Sequence, residues 1–422
     1  ADFITTNTFG ANPLKLEQHK YSYQEVILAA IQNAKEAKKI KPDAYIALDI
    51  GPIGKLMEPM GTLTFDEVYQ SVKQMVELVK EDIDVVLFET MTDIYEVKAA
   101  VLAARENSDK PIIVTMTFEE NRRTFTGCDI PSMAITLNGL GVSAIGLNCS
   151  LGPKELLPII GELSKWTNLP LVVKPNAGLP DPITNTYDIT PEEFASYVAD
   201  MTNYGIRVVG GCCGTNPEYI KATIKKLSTI HPNVEKKEIP SAVCSSSKTV
   251  VINQPRIIGE RINPTGKKRF KEALKNNDLD YILGQAIEQA QGGAEILDVN
   301  VGLPGIDEKE MMIKTVKALQ GVTNLPLQLD STIPEVLEAA LRVYNGKAIV
   351  NSVNGEEESL KNVLPIVKKY GAAVVGLTLD KDGIPPKAEK RFEIAKKIMN
   401  RALEIGIPKE NIFILKSGNV LE

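Results

Sequence analysis

The stretch FDEVYQSVKQMVELVKEDIDVVLFET, residues 65–90, decides the fold class. In its first part, five apolar residues recur at the spacing of one helix face, namely Val68, Val72, Met75, Val76 and Val79. Its last part, residues 84–90, is a short β-branched run that is apolar on both faces of an extended strand. Strands of this kind that alternate with helices are typical of a parallel sheet covered by helices.

The same alternation extends in both directions from residues 65–90. Strand-like runs recur about every 35 residues, with longer segments of helical spacing between them. In the first half they occupy residues 3–7, 45–50, 84–90, 111–118, 144–149, 170–176 and 207–213. A (β/α)8 barrel of the TIM type has eight strands. We therefore predict an α/β fold in which residues 1–230 form such a barrel, lacking its opening strand in this chain.

A polar segment rich in Ser, Lys and Pro interrupts the alternation, and it predicts a linker over residues 231–255. Six further strand-like runs follow, at residues 256–263, 295–300, 326–331, 348–354, 373–379 and 411–416. They predict a second TIM-type barrel over residues 256–422, lacking its last units in this chain. The expected architecture is therefore two tandem barrels.

Composition limits the partners and the chemistry. The chain has 422 residues and a net charge of −6, which argues against nucleic acid and against an anionic membrane surface as partners. No apolar run reaches the roughly 20 residues that span a bilayer, and we expect no secretory signal. Five cysteines, an odd count, fit a reducing compartment, so the expected location is cytoplasmic. Two histidines are too few for a His-rich metal site.

The C-terminal ends of barrel strands face the active site, so polar residues there are candidates for function. In the first half these residues include carboxylates, amides and three of the five cysteines: Asp49, Glu89, Asn148, Asn176, Cys149, Cys212 and Cys213. Three thiolates suit Zn²⁺ and leave a fourth position open, as in catalytic zinc sites. Alternatively, the cysteines are packed as small apolar residues, or the adjacent pair forms a disulfide.

A zinc ion held by three thiolates predicts a particular chemistry. It is a poor Lewis acid for water, because three thiolates already donate electron density to it, but it binds a fourth thiol well. Coordination deprotonates that thiol, whose free pKa is about 8.5. The predicted reaction is therefore thiol alkylation.

In the second half, amides and carboxylates at the strand ends replace the thiols. The candidates are Glu260, Arg261, Asn263, Asp298, Asn300, Asp330, Asn351 and Asn354. Such groups suit a flat, nitrogen-rich heterocycle, since one carboxylate accepts from both a ring N–H and an exocyclic amine. Alternatively, each residue only caps the helix that follows its strand.

Two sets of motifs resemble known families. The motifs GLNCSLGP (146–153), KPNAG (174–178) and GGCCGT (210–215), with FETMTD (88–93) and TNTFGA (6–11), resemble zinc-dependent homocysteine S-methyltransferases. The motifs GERINPTGKK (259–268), ILDVNVG (296–302), LQLDS (327–331) and VNSVNG (350–355) resemble pterin-binding methyltransferase barrels. Their order resembles the N-terminal homocysteine- and folate-binding modules of the cobalamin-dependent methionine synthase family.

This resemblance implies roles for the strand-end residues. It implies that Cys149, Cys212 and Cys213 bind zinc, with the sulfur of homocysteine as the fourth ligand. It places the amino-acid end of homocysteine at Glu89 and Asn176, and we expect Asn148 in the same pocket. In the second half it implies a pterin pocket lined by Glu260, Asn263, Asp298, Asn300, Asp330 and Asn351.

The implied reaction makes methionine in two steps. The second barrel presents 5-methyltetrahydrofolate to cob(I)alamin, with Asp330 anchoring the pterin and Asn351 orienting the hydrogen bond to the leaving nitrogen as the two catalytic residues. At the first barrel, the zinc-bound homocysteine thiolate then accepts the methyl group from methylcobalamin. Neither His19 nor His231 lies in the corrinoid-binding motif D-x-H-x-x-G, so we expect a cobalamin-binding domain or protein outside this chain.

Three other functions stay open. A cobalamin-independent homocysteine S-methyltransferase that uses betaine or S-methylmethionine would keep the zinc site but leave the second half unexplained. A homocysteine barrel fused to a flavin-dependent folate reductase would share the first half. From a different class, the chain could be a non-catalytic module that binds thiols through zinc.

Overall fold

The computed structural model describes residues 1–181, 183–184, 186–230 and 236–415. The chain divides into two compact units, Ala1–Ile239 and Pro240–Glu422, called unit 1 and unit 2 below. None of the helices in the described ranges combines the length and the apolarity that crossing a bilayer requires.

In unit 1, seven strands form one parallel sheet in which each strand pairs with the next one along the chain. They are β1 (Phe3–Thr5), β2 (Tyr45–Ile50), β3 (Val85–Met91), β4 (Ile112–Met116), β5 (Ala144–Asn148), β6 (Leu171–Lys174) and β7 (Ile206–Val209). The seven predicted strands are confirmed. The observed bounds differ from the predicted ones in most strands. The largest difference is in β7, which ends at Val209 and leaves Cys212 and Cys213 in the loop that follows it.

Helices alternate with these strands. They are α1 (Pro13–Leu16), α2 (Tyr23–Lys38), α3 (Phe65–Val79), α4 (Ile94–Asn107), α5 (Ile130–Leu140), α6 (Pro153–Leu163), α7 (Pro191–Met201) and α8 (Pro217–Leu227). A 3₁₀ turn, Thr202–Tyr204, follows α7.

Helix α3 shows why these segments are helical. The Thr64 hydroxyl accepts from the Glu67 N–H while the Glu67 carboxylate accepts from the Thr64 N–H, a capping box that satisfies two N-terminal donors. All five residues of the predicted apolar face are buried: Val68, Val72, Met75, Val76 and Val79. The predicted amphipathic helix is confirmed.

The sheet of unit 1 is curled. One apolar cluster contains inward-facing side chains from all seven strands: Phe3, Ala47, Val85, Leu87, Ile113, Ala144, Val172 and Val208. A flat sheet could not bring its first and last strands to one cluster, so the strands curve around these side chains. Within the described residues β1 and β7 are not paired with each other, and closure into an eight-stranded barrel stays a prediction.

The described part of unit 2 contains two sheets. Its strands are β8 (Ala242–Ser245), β9 (Thr249–Val251), β10 (Ile258–Ile262), β11 (Ile296–Val299), β12 (Leu327–Asp330), β13 (Gly346–Lys347), β14 (Ile349–Val353), β15 (Ala373–Leu377) and β16 (Ile412–Leu415). Six of them form a parallel sheet in the order β10-β11-β12-β14-β15-β16, which confirms the six predicted strands. The other three form an antiparallel sheet in the order β13-β8-β9.

The helices of unit 2 lie between the parallel strands. They are α9 (Lys268–Lys275), α10 (Leu279–Gln291), α11 (Glu308–Val322), α12 (Pro334–Val343), α13 (Glu357–Tyr370) and α14 (Ala388–Glu404). A 3₁₀ turn, Lys409–Asn411, leads into β16.

The structure differs from the predicted linker over residues 231–255. Its residues 231–235 lie outside the described ranges, but residues 242–251 form the β8–β9 hairpin and belong to unit 2. Val243 and Val250 are buried against Ile296, Ile349 and Ala373 of the parallel sheet. The hairpin covers apolar side chains of the sheet, and this burial gives order to a segment whose composition is typical of a loop.

Candidate functional site

Three thiols converge in unit 1. Cys149 follows β5 directly, and Cys212 and Cys213 lie in the loop after β7. Their sulfur atoms all lie within 4.8 Å of one another, and the Sγ atoms of Cys149 and Cys213 are 3.7 Å apart. Tetrahedral zinc with Zn–S bonds of about 2.3 Å requires neighbouring sulfurs about 3.8 Å apart. The spacing therefore fits three ligands of one zinc ion, and all three cysteines are free thiols rather than disulfides.

The backbone around the thiols is unusual. Cys149 and Ser150 adopt left-handed φ angles of 61° and 59°, a conformation rare for residues other than glycine. The sharp turn is secured by the Leu151 N–H, which donates to the Cys149 carbonyl at 2.7 Å. Residues forced into this region cluster at functional sites, where the surrounding structure must hold them.

The segment after β6 joins the two cysteine-bearing loops. The Cys149 N–H donates to the Lys174 carbonyl at 3.1 Å, and the Cys212 N–H donates to the Pro175 carbonyl at 2.8 Å. The buried Asn176 accepts from the Cys213 N–H at 3.1 Å and also hydrogen-bonds the sulfur of Cys149. The KPNAG segment therefore determines the spacing of the three thiols, and Asn176 contacts them directly.

The pKa values of the three thiols are shifted in different directions. The hydrogen bond from the Cys212 thiol lowers the pKa of Cys149 to about 6. The same hydrogen bond, together with burial, raises the pKa of Cys212 far above its ordinary value, and burial first of all raises the pKa of Cys213. The Cys149 thiolate is thus stabilised by hydrogen bonds from two thiols. A divalent metal ion would replace their protons.

Asn148, a predicted substrate ligand, is buried, and every donor and acceptor of its carboxamide group has a hydrogen-bond partner within the protein. The oxygen accepts from the Thr90 N–H at 2.8 Å and from the Thr115 hydroxyl at 2.8 Å. The nitrogen donates to the Thr90 hydroxyl at 2.7 Å and to the sulfur of Cys212 at 3.8 Å. The two donors and two acceptors of this amide are therefore all engaged within the protein.

Glu89, also a predicted homocysteine ligand, lies in a charged cluster with Lys174 and Asp49. Its carboxylate forms an ion pair with the Lys174 ammonium, and their side chains are only 13% and 16% exposed. Burial, and then the neighbouring Glu89, raise the pKa of Asp49 to about 8. From the sequence, Asp49 is a strand-end candidate without an assigned role, and Lys174 is not a candidate at all. The alternation of β6, in which Lys174 shares a face with the inward-facing Val172, could have revealed the lysine.

In unit 2 the ends of β11, β12 and β14 bring four predicted residues together. The Asn300 amide donates to the Asp330 carboxylate at 3.0 Å, and the Asn351 amide donates to the Asp298 carboxylate at 3.3 Å. The Asp298 carboxylate also accepts from Gln328 at 2.6 Å, a contact that the sequence does not predict. Burial raises the pKa of Asp298 to about 6, and burial likewise raises the pKa of Asp330.

The remaining two predicted pterin residues are placed differently. Glu260 is exposed and lies 3.6 Å from the Lys267 ammonium, yet its charge still raises the pKa of Asp330. Asn263 is buried, and its side-chain oxygen accepts from the Thr265 N–H at 2.9 Å, which stabilises the turn after β10. Glu260 is therefore an electrostatic neighbour of the cluster, while the observed contact of Asn263 is local.

A cavity of about 340 Å³ opens beside this cluster. Its lining includes Asp330, Asn351, Asn354, Glu356 and Asn362. The volume lies within the range of small-molecule sites, and the lining offers several acceptors and amides to one ligand.

Comparison with known proteins agrees with this division. Residues 1–227 match the model of the homocysteine S-methyltransferase family, and residues 259–415 match that of pterin binding enzymes. The chain is similar to the methionine synthases of Mycobacterium leprae (32% identity) and Mycobacterium tuberculosis (31% identity). Each alignment covers 95% of this chain but only 35% of the relative, so the chain spans about a third of their length.

A solved structure is also similar. The metallated form of the Escherichia coli homocysteine methyltransferase MmuM is 21% identical and covers 54% of this chain and 80% of its own, with a TM-score of 0.46. Because the first family's model spans more than half of the 422 residues, the chain belongs to the homocysteine S-methyltransferase family.

Proposed function

We propose that unit 1 activates homocysteine for methylation through a zinc ion held by Cys149, Cys212 and Cys213. The convergence of three thiols at the spacing of zinc ligands carries this proposal. A bound zinc ion would take the substrate thiol as its fourth ligand and keep it deprotonated at neutral pH. The product of methyl transfer to that sulfur is methionine, in keeping with the name of the mycobacterial relatives.

The protein's own residues hold the ligands and the substrate. Asn148 and Asn176 hydrogen-bond the cysteine sulfurs, and Asn176 also secures the backbone of Cys213. The Glu89 carboxylate lies at the same end of the sheet and supplies an acceptor for the α-ammonium group of homocysteine. Neighbouring groups of the protein thus bind the thiol and the α-ammonium group of one small amino acid.

For unit 2 we propose a binding site for 5-methyltetrahydrofolate. The Asp330 carboxylate would accept from the ring N–H and the exocyclic amine of the pterin, and Asn300 holds that carboxylate in place. A tertiary amine is a poor leaving group, so the nitrogen that loses the methyl group needs a proton or a strong hydrogen bond. We assign the orientation of that hydrogen bond to Asn351, whose amide donates to the Asp298 carboxylate.

The methyl group would pass from the folate to homocysteine by way of cobalamin, carried by a domain or protein other than units 1 and 2. The pairing of a homocysteine region with a pterin region, in the order of the methionine synthase relatives, supports this route over a cobalamin-independent one. A cytoplasmic location agrees with the free thiols of the site.

The zinc proposal is tested on the full chain. We expect one zinc ion per chain, and X-ray absorption should show one additional sulfur ligand after homocysteine is added. Cys213→Ser should weaken zinc binding by about 100-fold or more, because one thiolate ligand is lost. Cys128→Ser and Cys244→Ser serve as controls, since both residues are buried away from the three converging thiols. An unchanged number of sulfur ligands on adding homocysteine would overturn the thiol-activation proposal.

The two half-reactions are assayed separately. Methyl transfer from methyltetrahydrofolate to added cob(I)alamin tests unit 2, and transfer from methylcobalamin to homocysteine tests unit 1. Activity with betaine or S-methylmethionine instead of methylcobalamin would favour the cobalamin-independent alternative.

A further inference from the structure

The charged cluster of Asp49, Glu89 and Lys174 lies inside the curled sheet of unit 1, next to the thiols. The three residues belong to β2, β3 and β6, and the backbone carbonyl of Lys174 accepts from the N–H of Cys149 at 3.1 Å. All three side chains are largely shielded from water: Asp49 is 5% exposed, and the ion pair of Glu89 with Lys174 is exposed by 13% and 16%.

The cluster contains more carboxyl groups than cations. It contains two carboxyl groups and a single ammonium group, and the ammonium is paired with Glu89. Within the described residues no donor lies within hydrogen-bond distance of the buried Oδ1 atom of Asp49. Burial, and then the neighbouring Glu89, raise the pKa of Asp49 to about 8, so its carboxyl group holds a proton at pH 7 while the Lys174 ammonium stays with Glu89. A second ammonium group in the cluster would favour the charged carboxylate of Asp49 and the loss of that proton.

The position of Asp49 is secured by its backbone rather than by its carboxyl group. The Thr8 hydroxyl donates to the Asp49 carbonyl at 2.6 Å, and the Asp49 N–H donates to the Thr6 hydroxyl at 3.0 Å. The Lys174 side chain, by contrast, is a flexible stem that runs over Gly210, where a Cβ atom would come within 3.2 Å of its Cγ. The acceptor is therefore rigid, and the cation is the part that can move.

We propose that Lys174 occupies the place of the substrate's α-ammonium group at Glu89 while the site is empty, and that Asp49 receives the Lys174 ammonium when the substrate displaces it. This inference rests on the proposed binding of homocysteine in unit 1. After the exchange two ammonium groups face two carboxylates, so every buried charge has a partner. Asp49 gives up its carboxyl proton to the solvent when it receives Lys174, no other covalent bond changes, and the cluster distinguishes an α-amino thiol from a thiol without the amino group.

The exchange is tested by calorimetric titration of the zinc-loaded full chain with three thiols. Homocysteine carries both charged groups, 4-mercaptobutanoate lacks the α-ammonium, and 3-mercaptopropylamine lacks the carboxylate. Asp49→Asn should weaken the binding of homocysteine and of 3-mercaptopropylamine by about tenfold, because Lys174 loses the carboxylate that would receive it. The affinity for 4-mercaptobutanoate should stay unchanged. Lys174→Met should tighten the binding of homocysteine about tenfold, because the Lys174 ammonium no longer competes for Glu89.

The double variant Asp49→Asn with Lys174→Met gives the decisive comparison. In the Lys174→Met background, Asp49→Asn should have little effect on the affinity for homocysteine, because Asp49 then has no lysine ammonium to bind. An equal loss in both backgrounds would overturn the exchange. Weaker binding of 4-mercaptobutanoate by Lys174→Met would also overturn it, because Lys174 would then bind the substrate carboxylate.

Two control variants show whether the change in affinity is caused by the loss of the Lys174 charge. Lys38→Met removes a lysine from the Lys38–Asp84 ion pair of 3.0 Å on the outside of unit 1 and should change no affinity. Lys174→Gln replaces Lys174→Met if the latter does not fold, since it can still hydrogen-bond Glu89 and carries no charge. If none of the three thiols binds the zinc-loaded wild-type chain, the proposed function fails, whereas unchanged discrimination among bound thiols rejects only the exchange.

Discussion

At the scale of single residues, Asn148 shows how a role depends on its surroundings. Its position at a strand end predicts a functional residue, and the structure places it against Cys212. The same amide, however, hydrogen-bonds Thr90 and Thr115, so its donors and acceptors are used within the protein. The sequence carries no signal for this difference, because the partners come from β3, β4 and the loop after β7.

We predict that Asn148→Ala lowers zinc affinity by about 10- to 100-fold, the usual effect of losing a residue that orients metal ligands. The matched control is Asn138→Ala. Asn138 donates to the Trp166 carbonyl at 2.8 Å and accepts from Thr167 at 2.7 Å, but touches none of the three thiols. Both variants should lose about 1–3 kcal/mol of unfolding free energy, while only the first loses zinc in a chelator competition. Equal zinc affinities would contradict the positioning role.

The lowered pKa of Cys149 predicts its reactivity in the zinc-free protein. A thiol with a pKa of about 6 is mostly thiolate at pH 7, so iodoacetamide should modify Cys149 first. The rate should fall as the pH drops through about 6, since protonation removes the nucleophile. Mass spectrometry of the peptides measures the modification at each cysteine, with the buried Cys128 and Cys244 as slow internal controls. A midpoint near the ordinary thiol value of about 8.5 would refute this assignment.

At the scale of elements, the β8–β9 hairpin is the largest departure from what the sequence predicts. Its strands have four and three residues, and Ser and Lys residues surround them, so the local pattern resembles a loop. Val243 and Val250 stabilise the hairpin only through their packing against the parallel sheet that they cover. Short elements stabilised by tertiary burial leave little periodic signal.

The hairpin should contribute measurably to the stability of unit 2. Val243 is fully buried, so Val243→Ala should cost about 2 kcal/mol through lost apolar burial and the cavity left behind. Val322→Ala is the control, because Val322 at the end of α11 is 42% exposed and its truncation should cost below about 0.5 kcal/mol. Calorimetric unfolding compares the two, and equal shifts would mean that the hairpin does not stabilise the sheet.

At the scale of the whole molecule, the chain consists of two compact units with different polar chemistry at their strand ends. Thiols mark unit 1, while carboxylates and amides mark unit 2. Two family models match separate segments in the same way. Each unit therefore has a candidate site of its own.

Independence of the two sites can be measured. Asp330→Ala should weaken methyltetrahydrofolate binding by about tenfold or more, because a half-buried acceptor for the pterin is lost, without changing the zinc content. Conversely, Cys149→Ser should remove zinc and leave folate binding intact. Zinc analysis and equilibrium folate titration on the same preparations provide both readouts. Loss of zinc in Asp330→Ala would show that the sites are coupled.

The sequence by itself determined the alternation of strands and helices, the two-part organisation and the identity of the three converging cysteines. Periodicity and residue type are local properties, and they suffice for elements buried on predictable faces. Only the tertiary structure decided that Asn148 is saturated, that Lys174 pairs with Glu89 beside Asp49, and that the hairpin is ordered. Each of these depends on contacts between residues far apart in the chain, and their energies arise from burial that exists only after folding.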